Sequence, residues 1–135
     1  MTKRNLFLLG VLILAQLVYA GNWDDTKAQA KQENKLILLK FSGSDWCGPC
    51  IQLQKVIFDD PVFEQFAHEK LVLFKADFPR QKKNQLPKEQ QAINDQLAET
   101  YNPEGEFPCM VLIDAQGNTL RKWHGYDKKH TVQDY

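Results

Sequence analysis

Cysteine is scarce in this chain. There are three in 135 residues, and two of them, Cys47 and Cys50, stand together. A structural zinc site is closed by four ligands, usually through a second CxxC or a spaced pair of histidines. The remaining candidates are Cys109 and the scattered His68, His124 and His130, none at paired ligand spacing. Charge of one sign is also lacking. The 17 basic residues balance 17 acidic ones, so the clustered basic excess of a nucleic-acid footprint is missing. The one basic cluster, Arg80-Gln81-Lys82-Lys83, is expected to be a solvated loop rather than a binding patch. There is no internal repeat, low-complexity tract or sign of a second domain, and the length suits one domain.

Long apolar runs are missing too, with one exception near the N-terminus. Leu6 to Leu17 is almost wholly apolar and follows Lys3 and Arg4, and Val18-Tyr19-Ala20 places small residues where a signal peptidase reads. This pattern predicts a signal peptide over residues 1–20, cleavage after Ala20, and a periplasmic or secreted protein. The run is short for a membrane span, which takes about 20 residues, so no stable span is expected after cleavage. An uncleaved anchor is the rival reading. With no cysteine near the cleavage site, a lipid anchor is not supported.

The rest reads as alternating short elements. Asn22 to Asn34 predicts a helix capped by Asn22, with Trp23, Ala28 and Ala30 as its apolar side. Leu36 to Phe41 is a short apolar run bounded by Ser42-Gly43-Ser44, which predicts a buried strand. Ile51, Leu53, Val56 and Ile57 then recur at helical spacing. Asp60-Pro61 breaks that helix and opens another, with Val62, Phe63 and Phe66 expected inward. Leu71 to Phe78 predicts a second strand, 79–88 a long polar loop, and 87–101 a helix with Ile93, Leu97 and Ala98 on its apolar side. Phe107 to Asp114 and Thr119 to His124 predict two strands joined by the turn Ala115-Gln116-Gly117-Asn118.

The informative stretch is Trp46-Cys47-Gly48-Pro49-Cys50. It lies where a strand turns into a helix, with Cys47 at or just before the helix start. The first helical turn carries free N–H groups and the positive end of the peptide dipole. Both favour a thiolate, the reactive form of cysteine. Cys50 lies one turn further in, within reach of a mixed disulfide formed on Cys47. Pro49 suits the first turn, where a missing N–H costs little. A redox dithiol is the leading reading, and half of a zinc site or an inert structural disulfide are its rivals.

This pentapeptide resembles the active site of the thioredoxin family letter for letter, and Phe41-Ser42-Gly43-Ser44-Asp45-Trp46 is similar to exported bacterial members. The order of elements over residues 22 to 126 also resembles that fold. The resemblance implies an α/β, three-layer sandwich over residues 21–135, with a central mixed sheet of about four strands flanked by helices. It implies a cis peptide bond at Phe107-Pro108, facing the cysteine pair and presenting the Phe107 backbone to an extended substrate. Trp46 is expected beside the cysteines, as a partly exposed surface for substrates or as a packed side chain. Gly48 and Pro49 complete the expected substrate-binding set around the catalytic pair Cys47 and Cys50. No metal is implied, and no cofactor beyond a redox-active Cys47–Cys50 disulfide.

Three features depart from the family pattern. The acid that many thioredoxins bury beneath the cysteine pair is matched here by Lys40, whose expected position is surface-facing because a buried ammonium is costly. Asp45 and Asp77 are weak substitutes for that acid. Cys109 follows the proline and is expected to be a buried, inert thiol. Only Asp127 to Tyr135 follows the last strand, so the family's C-terminal helix is expected to be short or truncated.

The resemblance thus implies an enzyme, a thiol–disulfide oxidoreductase acting on protein thiols and disulfides. Its Gly-Pro pair is similar to that of the reducing members, with electrons drawn from a membrane thiol reductase. The alternative is a thioredoxin-fold binding module or holdase with a static disulfide, gripping extended chains through Trp46 and Phe107.

Overall fold

A computed structural model describes residues 22–135; the proposed signal peptide lies outside the described residues. Four strands form one sheet in the order β2-β1-β3-β4. They are β1 (Leu36–Ser42), β2 (Leu71–Asp77), β3 (Cys109–Ile113) and β4 (Thr119–His124). β1 runs parallel to β2 and antiparallel to β3, and β3 runs antiparallel to β4. The mixed sheet and its flanking helices match the expected thioredoxin-like three-layer sandwich.

The first helix, α1 (Trp23–Glu33), begins where Asn22 accepts a hydrogen bond from the Asp24 N–H. It ends at Asn34, whose left-handed conformation (φ 54°) closes the last turn. Its buried residues are Thr26 and Ala30; Ala28, expected inward, is exposed. Together with α4 (Lys88–Tyr101), α1 covers the face of the sheet formed by Ile37, Leu39 and Phe41.

The other face, formed by Leu38 and Met110, packs against α2 (Gly48–Leu53), a π-helical turn (Gln54–Phe58) and α3 (Pro61–Lys70). The π turn explains one failed expectation. The Asp59 N–H reaches back to the Gln54 carbonyl at 2.8 Å, which inserts an extra residue into the helical spiral. Leu53, Ile57 and Phe58 therefore face inward, while Ile51 and Val56 face solvent. In α3 the spacing resolves to Phe63 and Ala67, four residues apart on one face. Val62 and Phe66, expected inward, are 61% and 53% exposed.

After β4 the chain forms one 3-10 turn, Val132–Asp134. Val132 and Tyr135 pack against the second cluster beside Trp123. An apolar cavity of about 650 Å³ remains on this side, lined by residues including Leu38, Phe66, Leu112 and Trp123.

Candidate active site

Cys47 and Cys50 are joined in a disulfide, with Cα atoms 5.2 Å apart. The sequence places them as it does because β1 ends at Ser42 and the turn 43–47 leads directly into α2. Cys47 is the N-cap of α2, in extended conformation, and its Sγ accepts the Cys50 N–H at 3.3 Å. A sulfur at that position is held against the free N–H groups of the first turn. Pro49 sits within that turn, where it sacrifices no helical bond. Both cysteines are enclosed in the oxidised state, with Cys47 5% and Cys50 2% exposed. A place just before the helix leads one to expect an exposed Cys47 sulfur; in the oxidised state it is buried.

Gly48 and Pro49 are exposed, and Ile51 beside them is 46% exposed. They form a smooth apolar rim outside the disulfide. Trp46, just before Cys47, is half-buried. Its indole N–H donates to the Phe78 carbonyl at 2.7 Å, and its ring lies edge-on to Phe107 at 5.4 Å. The Phe107–Pro108 bond is cis. Cys109 pairs with Phe41 across the sheet, so this bond sits beside the end of β1 from which the cysteine turn departs. The structure thus gathers Trp46, Cys47, Gly48, Pro49, Cys50, Phe107 and Pro108 at one end of the sheet.

Residues that sequence reasoning missed hold this end together. Gly43 is a spacer for Trp46. A Cβ there would fall 2.6 Å from the indole Nε1 and closer still to the ring carbons. Arg80 stacks its guanidinium on the Trp46 ring, 3.7 Å from the centroid. The sequence carried both signals, a glycine between serines and an arginine opening the basic cluster, but not their convergence on one indole. Replacing Gly43 with alanine is expected to unseat Trp46 and to cost about 1–3 kcal/mol, the usual range for overpacking. The Trp46 indole N–H signal in NMR, assigned with a Trp46→Phe reference, should shift together with a drop in Tm. An unmoved signal at unchanged Tm would show that Trp46 does not depend on this space.

Asp45 and Asp77 do not replace a buried acid. The Asp45 carboxylate accepts the N–H groups of Arg80 and Gln81 and the Asn84 amide, at 2.9, 3.0 and 3.0 Å. The Arg80 N–H foremost holds its pKa below the ordinary value. Asp77 accepts the backbone N–H and hydroxyl of Ser44. Both acids brace the turn that carries the cysteines.

Lys40 corrects the surface-facing expectation: it is 5% exposed. Its ammonium donates to the Gln54 side-chain oxygen and lies 3.9 Å from the centre of the Phe58 ring. Because β1 is covered on both faces, alternation gives Lys40 no solvent side. Burial is the main cause that lowers its pKa to about 8, followed by the nearby Lys75 cation, with Asp59 and Asp77 opposing. A cavity of about 220 Å³ beside Cys50 has Gln54, Asp59 and Lys75 on its walls, so the Gln54 amide stands between Lys40 and the redox pair's surroundings. Cys109 is free and fully buried, and burial pushes its thiol up to about 11. It is a neutral thiol at physiological pH, as expected.

Comparison with known proteins agrees with this geometry. A family model described as a Thioredoxin-like domain matches residues 23–135. The disulfide bond reductase DsbH of Chlamydia pneumoniae is 42% identical over 93 residues, which cover 69% of this chain and 54% of DsbH. The thioredoxin-related protein DsbJ of the same organism is 26% identical over 98 residues, covering 72% of this chain and 27% of DsbJ. The matched part thus spans about half or less of these relatives. A solved structure, the DsbH oxidoreductase, superposes with a TM-score of 0.76 at 32% identity, covering 98% of this chain and 89% of that one. With the family match running from α1 to the last residue and the Cys47–Cys50 disulfide at the head of α2, this chain belongs to the thioredoxin-like family.

Proposed function

We propose that this protein is a thiol–disulfide oxidoreductase that reduces disulfides in exported proteins. The observation that carries the reading is the Cys47–Cys50 disulfide with Cys47 as the helix N-cap, beside exposed Gly48, Pro49 and Ile51 and half-buried Trp46. In the reduced protein the Cys47 thiolate attacks one sulfur of a substrate disulfide. That bond breaks, one substrate thiolate leaves, and a mixed disulfide forms on Cys47. Cys50 then attacks the Cys47 sulfur, releases the second substrate thiol, and leaves the Cys47–Cys50 disulfide. Two electrons pass to the substrate in each cycle. No cofactor beyond this disulfide and no metal is needed. The name of the DsbH relative supports reduction over oxidation as the direction.

Dithiothreitol-driven reduction of insulin tests the reading. The wild type is expected to accelerate precipitation of the insulin B chain well beyond dithiothreitol alone, and Cys47→Ser to abolish the acceleration. No acceleration by the wild type would return the protein to the reading as a binding module with a static disulfide.

Export is part of the proposal. Residues 1–20 act as a signal peptide, residues 21–135 form the working domain, and a membrane thiol reductase returns the electrons, since the periplasm holds no reducing buffer. Among the described residues, no helix is long and apolar enough to cross a membrane. Intact mass of the protein from its native host should correspond to a chain starting at Gly21. A species starting at Met1, or one held in the membrane fraction, would refute cleavage.

A further inference from the structure

The segment after β2 is more than a solvated connection. Asp45, two residues before Cys47, accepts three hydrogen bonds from it, through the backbone of Arg80 and Gln81 and the side chain of Asn84. Gln81 returns one to the Asp45 carbonyl at 3.4 Å, and Gln85 bonds the Pro79 carbonyl at 3.0 Å. A 3-10 turn, Lys82–Asn84, fixes the tip. Two residues of chain span at most about 7 Å, so this loop is pinned beside the redox pair.

Its charge is only partly compensated. Arg80, Lys82 and Lys83 are all exposed. Among the described residues, none of them has a carboxylate within ion-pairing distance, whereas Lys27, Lys35 and Lys122 do. The Asp45 carboxylate, which accepts the loop's N–H groups, offsets one of these three charges and leaves an excess of two. The Arg80 guanidinium further lies over the Trp46 ring, which carries the positive edge of the loop to the rim of the site.

We infer that the Arg80–Asn84 loop is a docking surface for acidic segments of the polypeptides on which the Cys47–Cys50 pair acts. This rests on the oxidoreductase reading and adds substrate selection to it. An extended substrate rises about 3.3 Å per residue, so an acidic residue within about five positions of the reacting cysteine reaches Lys82 and Lys83. Cations on this pinned backbone attract acidic partners during encounter and orient them, and both effects fade as salt screens the field. Pinning the loop through Asp45 reduces the ordering cost of binding.

Three disulfide-bridged fluorogenic peptides test this, identical except for flanking Glu, Gln or Lys residues. Reduction is driven by the dithiothreitol-reduced protein and followed as kcat/KM. The Glu peptide is expected to exceed the Gln peptide about fivefold at low salt, the Lys peptide to fall below it, and the spread to collapse at 0.5 M salt. The variant Lys82→Glu/Lys83→Glu should invert the order, while Lys82→Gln/Lys83→Gln should flatten it. Equal rates on all three peptides, or an order untouched by charge reversal, would overturn the docking surface while leaving the oxidoreductase intact. Failure to reduce any of the three would overturn the oxidoreductase reading and this inference with it.

Discussion

Replacing Cys50 with serine is expected to turn the protein into a trap. The first attack still occurs, because Cys47 keeps its place at the N-cap with the Cys50 backbone N–H directed at its sulfur. The free N–H groups and positive dipole end of the first turn favour a thiolate so placed. The resolving thiol is gone, so substrates remain covalently attached and turnover falls by about 1,000-fold or more. Cys47→Ser should lose as much turnover and trap almost nothing. Cys50 lies one turn inside α2, away from the N-cap position that favours a thiolate at Cys47. Non-reducing gels and mass spectrometry of the two variants, recovered from cells after acid quenching, read the difference directly. Trapping by Cys47→Ser alone would reverse the assigned roles.

Replacing Lys40 with methionine is expected to stabilise the protein at neutral pH. An unfolded Lys40 holds its proton to about 10.5, whereas the folded one releases it near 8. Between those values the unfolded chain binds more protons, so stability rises with pH across that window. Below pH 8 both states are protonated, and the cost of the buried ammonium is fully present. Each pH unit between the two is worth about 1.4 kcal/mol, so the cost approaches about 3 kcal/mol. The bond to Gln54 and the nearby cavity moderate it, and we expect a gain of about 1–3 kcal/mol for Lys40→Met at pH 7. That corresponds to roughly 4 °C in Tm per kcal/mol for a domain of this size. The gain should shrink as pH is raised from 8 towards 10.5. Methionine is unbranched and can fill the vacated channel against Phe58, and water in the cavity can take up the Gln54 oxygen. Urea unfolding of both proteins at pH 7, 9 and 10 measures this. A variant less stable than the wild type at pH 7, or a difference independent of pH, would show that the ammonium is not a burden on the fold.

The elements were legible because their punctuation is local. Asn22 caps α1, Asp60-Pro61 opens α3, Pro87 precedes α4, and the 115–118 turn closes the β3–β4 hairpin, each through bonds made within a few residues. Inward faces were less legible. In α2, the π turn and α3 the apolar residues outnumber the buried positions, so Ile51, Val56, Val62 and Phe66 fit a helical stripe that the sheet does not contact. The π turn after Leu53 shifted that stripe, and no residue type announces such a turn.

By itself the sequence determined the chemistry and the fold's order: a cysteine pair at a strand-to-helix junction, a proline opening the third strand, and alternating short elements. Spacing along the chain sets these, since an N-cap, a turn or a CxxC involves residues only a few positions apart. The tertiary structure alone decided what surrounds that chemistry. It buried Lys40, because a central strand covered on both faces leaves no side for a charge to escape. It bound the 80–84 loop to Asp45 across 35 to 39 residues of sequence, and it laid Arg80 on Trp46 with Gly43 making room. Such contacts depend on which strand ends meet in space, a consequence of how the whole sheet assembles rather than of any one segment.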